Sequence, residues 1–149
     1  MNKIRLTKEF EFEMAHALLN YDGLCKHIHG HSYKLAVTVI ATPISDVSSP
    51  KNGMVMDFGG LKSLVNELIV KPLDHAFIIN KNTPQAWIDG HCQLFERTYQ
   101  VDYQPTCENM VIDFAQRIRA KLPEGVALFS VKLHETATSF AEWFAADQA

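Results

Sequence analysis

The segment Cys25-Lys26-His27-Ile28-His29-Gly30-His31 runs directly into the apolar stretch Ser32 to Ala41, and this junction constrains the chain more than any other. The stretch holds a β-branched core, Leu35-Ala36-Val37-Thr38-Val39-Ile40, which favours a strand from about His29 to Thr42. In extended backbone, side chains two apart share a face, so Cys25, His27, His29 and His31 fall on one side. Three of the seven histidines lie within five residues. Imidazoles so placed can converge on one metal ion.

A preceding strand is expected from Ile4 to Leu19, where Ile4, Leu6, Phe10, Phe12 and Met14 supply partial alternation, with a bulge near Thr7-Lys8-Glu9. Asn20-Tyr21-Asp22-Gly23 is a turn signal between the two. Antiparallel pairing of these strands sets His16 opposite His29 and His31. Three neutral imidazoles leave one tetrahedral position open on Zn²⁺, the arrangement of a catalytic site. Any one of these histidines alone would read as a hydrogen-bonded surface group. Spacing does not choose the ligands among His27, His29 and His31. Cys25 has three open readings: a fourth ligand closing a structural site, a thiolate activated beside the metal, or an inert small hydrophobe.

Further along, Pro43 to Gly53 reads as a loop and Met54-Val55-Met56 as a short strand. Asp57 is expected to cap a helix carrying the stripe Phe58, Leu61, Leu64, Val65, Leu68, Ile69, ended by Lys71-Pro72. Leu73 to Asn80 is extended or irregular. Lys81 to Gln104 has mixed composition and room for a short helical piece. Thr106 is expected to cap a second helix, with Glu108 in its first turn and Met110, Val111, Phe114, Ala115, Ile118 and Leu122 as its stripe. Phe129 to Glu135 and Ser139 to Phe144 form a closing antiparallel pair. Strands grouped apart from helices predict an α+β fold, a four-stranded antiparallel sheet with two helices on one face.

Two further groups carry chemistry. Asp74-His75 joins a carboxylate to a titratable imidazole; it is either a loop pair or a proton relay, and a relay needs irregular backbone, because neighbours on a strand face apart. Glu135 continues an inward row after Val131 and Leu133. It is either a strand-end group in solvent or a carboxylate able to accept two N–H bonds from a guanidine-like edge.

Composition narrows the function classes. With 149 residues, 47% hydrophobic and 21% charged, the chain can bury a real core, and one domain over 1–149 is expected. A net charge of −3 and a pI near 6.1 lack the basic stripe of a nucleic-acid binder. No apolar run has the length of a membrane span, so no membrane partner is expected. Met1 to Arg5 alternates and reads as strand rather than signal peptide. Cys25, Cys92 and Cys107 are odd in number and dispersed, which fits a reducing cytoplasm.

Taken together, Phe12-Glu13-Met14-Ala15-His16, Cys25-x-x-x-His29-Gly30-His31, Met56-Asp57-Phe58, Leu73-Asp74-His75, Pro105-Thr106-Cys107-Glu108-Asn109 and Leu133-His134-Glu135-Thr136 resemble the motifs of the 6-pyruvoyl-tetrahydropterin synthase family, in the family's order and across nearly the whole chain. The resemblance implies that His16, His29 and His31 hold Zn²⁺ and His27 does not. It implies that Cys25 is the catalytic thiolate, that Asp74 and His75 form the relay, and that Glu135 anchors a pterin ring in a pocket lined by Thr106 and Glu108. It implies the tunnelling fold, in which sheets of several subunits join into a barrel, with interface active sites and a homohexamer built as a dimer of trimers. The three-residue gap between Cys25 and His29 is similar to the bacterial 6-carboxy-tetrahydropterin synthase branch of queuosine biosynthesis. That branch implies a zinc-dependent lyase turning 7,8-dihydroneopterin triphosphate into 6-carboxy-5,6,7,8-tetrahydropterin, acetaldehyde and triphosphate. The alternatives are the sister activity, which retains the side chain as a pyruvoyl group, and a non-catalytic zinc protein. Lys81 to Gln104 departs from the family pattern as a variable insertion.

Overall fold

The computed structural model describes residues 1–148. Strands β1 (Ile4–His16) and β2 (His29–Ala41) pair antiparallel over their full lengths, from Ile4 opposite Ala41 to His16 opposite His29. Strand β5 (Ala127–His134) lies against β2, and β6 (Phe140–Phe144) against β5, both antiparallel. This is the expected antiparallel unit.

The sheet is larger than expected. It has six strands, in the order β4-β3-β1-β2-β5-β6. Strand β3 (Ala76–Asn80) joins β1 in parallel, and β4 (Thr98–Val101) joins β3 in parallel. Every residue of β3 is buried, as in a strand covered on both faces, which explains why it reads as an apolar run without alternation.

Other local expectations are corrected. The pairing of β1 with β2 is unbroken, so Thr7-Lys8-Glu9 carries no bulge; the register shift lies between Thr38 and Val39, against β5. Met54 to Met56 is not a strand: two backbone bonds, Ile44 N–H to Met54 O and Gly53 N–H to Ile44 O, tie the loop there.

Helix α1 (Phe58–Val65) starts where Asp57 Oδ1 accepts the Gly59 N–H at 2.8 Å. Lys71-Pro72 does not end this helical run. It widens into a π-helical turn over Asn66–Val70 and continues as α2 (Lys71–Leu73). Proline lacks the N–H that Leu68 O would accept in an α-helix. Arg117 Nη1 donates to that carbonyl instead, at 3.2 Å. Helix α3 (Gln85–Leu94) lies in the variable segment, and α4 (Cys107–Arg119) follows the Thr106 cap, whose hydroxyl accepts the Asn109 N–H.

The core forms between one sheet face and the long helices. Phe10, Phe12 and Met14 of β1, Tyr33, Leu35, Val37 and Val39 of β2, and Val131 and Leu133 of β5 face Leu61, Val65 and Ile69 and the α4 stripe of Met110, Phe114 and Ile118. Ile78 of β3 joins this core, whereas its neighbours Phe77 and Ile79 point the other way and make a small second cluster with Ile88 of α3. Among the described residues, no helix is long and apolar enough to cross a membrane.

Candidate metal centre and active-site cavity

The even positions of β1 and the odd positions of β2 face the core, and both rows run past the end of the packed hydrophobics. Beyond Met14 comes His16; before Tyr33 come His31 and His29. Pairing then makes the histidines neighbours. His16 sits directly opposite His29, and His31 lies opposite Met14, two residues before His16. The three ring centroids are 4.5–5.2 Å apart, and one nitrogen from each lies within 4.8 Å of the others.

Hydrogen bonding sets the tautomers of two of them. His16 Nδ1 faces Pro105 O at 2.7 Å and His29 Nδ1 faces His27 O at 2.7 Å; a carbonyl only accepts, so each Nδ1 carries the proton and donates. The two Nε2 atoms then present lone pairs to each other at 3.0 Å. Two acceptors at that distance repel unless a cation lies between them. Ligand nitrogens on tetrahedral zinc, each about 2.0–2.1 Å from the ion, stand roughly 3.3 Å apart. His31 Nε2 is buried without a hydrogen-bond partner. Burial holds the His16 and His31 pKa values below the usual histidine range and so favours the neutral rings that ligation requires; the Pro105 carbonyl at His16 and the Glu135 carboxylate at both oppose it without overturning it. The donor set, its tautomers and the orphaned nitrogen all fit a bound metal ion. His27 enters the arrangement through its carbonyl.

Glu135 follows β5 on the inward row. Its carboxylate lies 3.7 Å from His31 Nε2 and 4.0 Å from His16 Nε2, and it is a quarter exposed. A cavity of about 310 Å³ opens beside it, lined by His16, Cys25, Thr106, Glu108, Glu135 and Phe140 among others. Cys25 reaches this cavity from a single 3₁₀ turn, Leu24–Lys26, not from the strand. Its loop is tied back where Leu18 N–H donates to Cys25 O, and where Gln104 Nε2 donates to Leu19 O while Gln104 Oε1 accepts the Leu19 N–H.

Asp74 and His75 are elsewhere. His75 lines a separate cleft of about 340 Å³ with Glu13, Gly30, His31 and Ser32. The pair is preformed, with His75 Nδ1 3.1 Å from Asp74 Oδ1. The Glu13 N–H, which donates to Asp74 Oδ1 at 2.9 Å, holds the Asp74 carboxyl below the usual range, helped by His75. His75 has φ 60°, the left-handed region that non-glycine residues rarely occupy. Within one chain, then, His16, His29, His31, Cys25, Thr106, Glu108 and Glu135 gather around one site, and Asp74-His75 does not join them.

Sequence reasoning missed the two carbonyls that orient the histidines, since a backbone group has no sequence identity. Cys107, at a helix start where a thiol could be acidified, reads from the sequence as structural; it lines the cavity and donates to Leu133 O at 3.2 Å, and burial pushes its thiol up to about 11, the behaviour of a structural cysteine.

Comparisons place this arrangement among known proteins. A sequence profile of the family described as 6-pyruvoyl tetrahydropterin synthase matches residues 5–146. A 6-carboxy-5,6,7,8-tetrahydropterin synthase of Haemophilus influenzae is 38% identical over 141 residues, covering 93% of this chain and 97% of that protein. A protein of the same name from Synechocystis is 35% identical, covering 92% of this chain and 90% of its own. Among solved structures, an uncharacterized protein from Wolinella succinogenes superposes with a TM-score of 0.77 at 23% identity, covering 97% of this chain and 99% of its own. The Caenorhabditis elegans 6-pyruvoyl tetrahydropterin synthase superposes with a TM-score of 0.67 at 21% identity, covering 97% of each chain. These likenesses show the tunnelling fold, and with the profile match they establish that the chain belongs to the 6-pyruvoyl tetrahydropterin synthase family of tetrahydropterin synthase lyases.

Proposed function

We propose that this chain is a zinc-dependent lyase that converts 7,8-dihydroneopterin triphosphate and water to 6-carboxy-5,6,7,8-tetrahydropterin, acetaldehyde and triphosphate, in queuosine biosynthesis. The observation that carries the metal assignment is the pair of facing Nε2 lone pairs beside the orphaned His31 Nε2. The carboxy-type product is favoured by the relatives at 35–38% identity, which bear that name over nearly their whole length.

His16, His29 and His31 would hold the zinc, which when bound supplies Lewis acidity to the hydroxyls of the substrate side chain. Pro105 O and His27 O fix the ring tautomers so that the metal-facing nitrogens stay unprotonated. Glu135 accepts the amino and ring N–H groups of the pterin, a pairing that orients the ring and leaves its side chain toward the histidines. Thr106 and Glu108 line the same cavity. Cys25, as thiolate, takes and returns protons on the side-chain carbons, and the Asp74-His75 pair resupplies them.

Because Asp74-His75 opens on a different cleft from Cys25, the relay is supplied to each site by a second copy of the chain. Free sheet edges support such an assembly. Strand β3 covers the outer edge of β1 only at Met14–His16, leaving Ile4 to Phe12 without a strand partner on that side among the described residues, and β6 is a sheet edge. The proposed assembly is a cytoplasmic homohexamer built as a dimer of trimers.

The test is mass spectrometry of the products made by zinc-loaded protein from dihydroneopterin triphosphate, with a parallel acetaldehyde assay. Carboxy-tetrahydropterin with equimolar acetaldehyde is expected. A pyruvoyl product without acetaldehyde would move the chain to the sister activity and keep the site. No turnover, with one zinc per chain, would overturn the catalytic reading in favour of a structural site.

A further inference from the structure

We propose that Arg97 is a positioning residue for the Asp74-His75 pair, and that delivering it is a task of the variable segment 81–104. The inference rests on the assignment of that pair to proton transfer.

The helical run α1 to α2 ends at Leu73, and its last carbonyls have no partner within the helix. Arg97, in the link between α3 and β4, covers them. Its Nη2 donates to Lys71 O at 2.9 Å, Asp74 O at 2.7 Å and Pro72 O at 3.4 Å, and its Nε donates to Asp74 O at 3.1 Å. The Arg97 carbonyl in turn accepts the Phe77 N–H at 2.8 Å, and Thr98 pairs with Phe77 in the β3–β4 ladder. The residue is therefore fixed by its backbone to one side of the Asp74-His75 turn and by its guanidinium to the other.

The turn needs such a clamp. His75 occupies the left-handed region, a costly conformation for a residue with a side chain that persists only where surroundings impose it. Its ring is 73% exposed, so packing does not orient it. The ring is aimed by its Nδ1 contact with Asp74 Oδ1 and by the turn that carries both, held by Arg97 on the Asp74 carbonyl and by Glu13, whose carbonyl accepts the His75 N–H at 2.6 Å and whose N–H donates to Asp74 Oδ1. The guanidinium grips Asp74 O with two nitrogens, Nη2 and Nε, held in one rigid plane; a lysine ammonium offers a single nitrogen and cannot make that two-point grip. Arg97 acts through the backbone of the pair.

The experiment uses zinc-loaded full-length R97M, R97K and H75N. R97M is expected to lose kcat by about 10²-fold, the cost of an ångström-scale misplacement, with KM and zinc content within about twofold of the parent. R97K is expected to fall nearly as far, and millimolar guanidinium to restore part of the R97M rate. Hydrogen exchange at the His75 amide should accelerate in R97M while α4 amides keep their protection. Parental kcat together with unchanged His75 exchange in R97M would overturn the proposal, as would a kcat loss that tracks loss of zinc and is not rescued. If R97M does not fold, R97K with its retained charge carries the same comparison. The two assignments fail separately. Full activity in H75N removes the relay, and exchange at His75 still reads the clamp. An inactive H75N beside a fully active R97M with parental exchange removes the clamp and leaves the relay.

Discussion

Thr106 stands where fold stability meets the proposed metal centre, and replacing it separates the two. Its hydroxyl accepts the Asn109 N–H at 3.2 Å and so caps α4; the preceding residue, Pro105, gives the carbonyl that orients His16. Removing an N-cap side chain costs roughly 1 kcal/mol, within a range of about 0.5–2. For 149 residues the unfolding entropy near the melting temperature is about 0.3 kcal/mol/K, so T106A should melt about 3 °C lower. T106S, which keeps the acceptor, should recover most of that. The metal-free protein reports the cap alone. Adding zinc at about 100 times its dissociation constant raises stability by about 2.7 kcal/mol, or roughly 9 °C on the same entropy. If the first turn of α4 also sets the His16 tautomer, T106A should show a smaller zinc increment, because losing an outer-shell partner lowers metal affinity by about 10–100-fold. The assay is thermal melting of parent, T106A and T106S, each metal-free and zinc-loaded. A metal-free T106A that melts with the parent, or a T106S no better than T106A, would refute the capping argument. An undiminished zinc increment in T106A would refute the coupling to His16.

Stability should fall in mild acid. Burial lowers the folded-state pKa of His16 and His31 below the ordinary 6.5, so the unfolded chain binds more protons. The contribution is complete above about pH 6.5 and is lost as pH falls through the lowered values, which urea unfolding from pH 7.5 downward would measure; a flat profile would contradict it. Chelation of the metal should lower the melting temperature, and C25A should keep its zinc while losing turnover; zinc lost together with turnover in C25A would mean that the thiol is a ligand. Tyr103→Phe should cost about 1–2 kcal/mol, because the Tyr103 hydroxyl donates to Asp113 Oδ2 at 2.5 Å in a half-buried network with Arg117. Denaturant melts check this value.

Strands with one buried face were legible because their period shows in the residue types: β1, β2, β5 and β6 all came from alternation or β-branched runs. Both caps, Asp57 and Thr106, were legible for a similar reason, since capping selects a short list of side chains. Strand β3 shows in the sequence only as part of an extended or irregular stretch, because it is buried on both faces and so does not alternate, and β4 is hidden because four residues carry too little pattern. Pro72 reads as a stop, which is sound for an α-helix. The π turn before it and the distant Arg117 donor remove the penalty, and neither can be seen locally. At the site, the spacing brought Cys25 and the histidines into view. It did not show that Cys25 leaves the strand for a 3₁₀ turn, or that Asp74-His75 opens on another cleft.

The centre draws its rigidity from the same rule that builds the core. His16, His31 and Glu135 are the next members of rows that begin with Phe12 and Met14, Tyr33 and Leu35, Val131 and Leu133. Side chains alternate with a period of two, so a one-residue slip of β1 against β2 would turn the histidines and the core residues to solvent together. The cost of that slip is the cost of exposing the core. The histidine positions are therefore stabilised by residues outside the proposed metal site, and no separate scaffold is needed to hold them. The Asp74-His75 pair has no such support: its imidazole is exposed and its backbone strained, so its geometry depends on contacts from Glu13 and Arg97. Core substitutions that leave the fold intact should thus spare the histidine triad, whereas small changes at the 81–104 segment should reach proton transfer first.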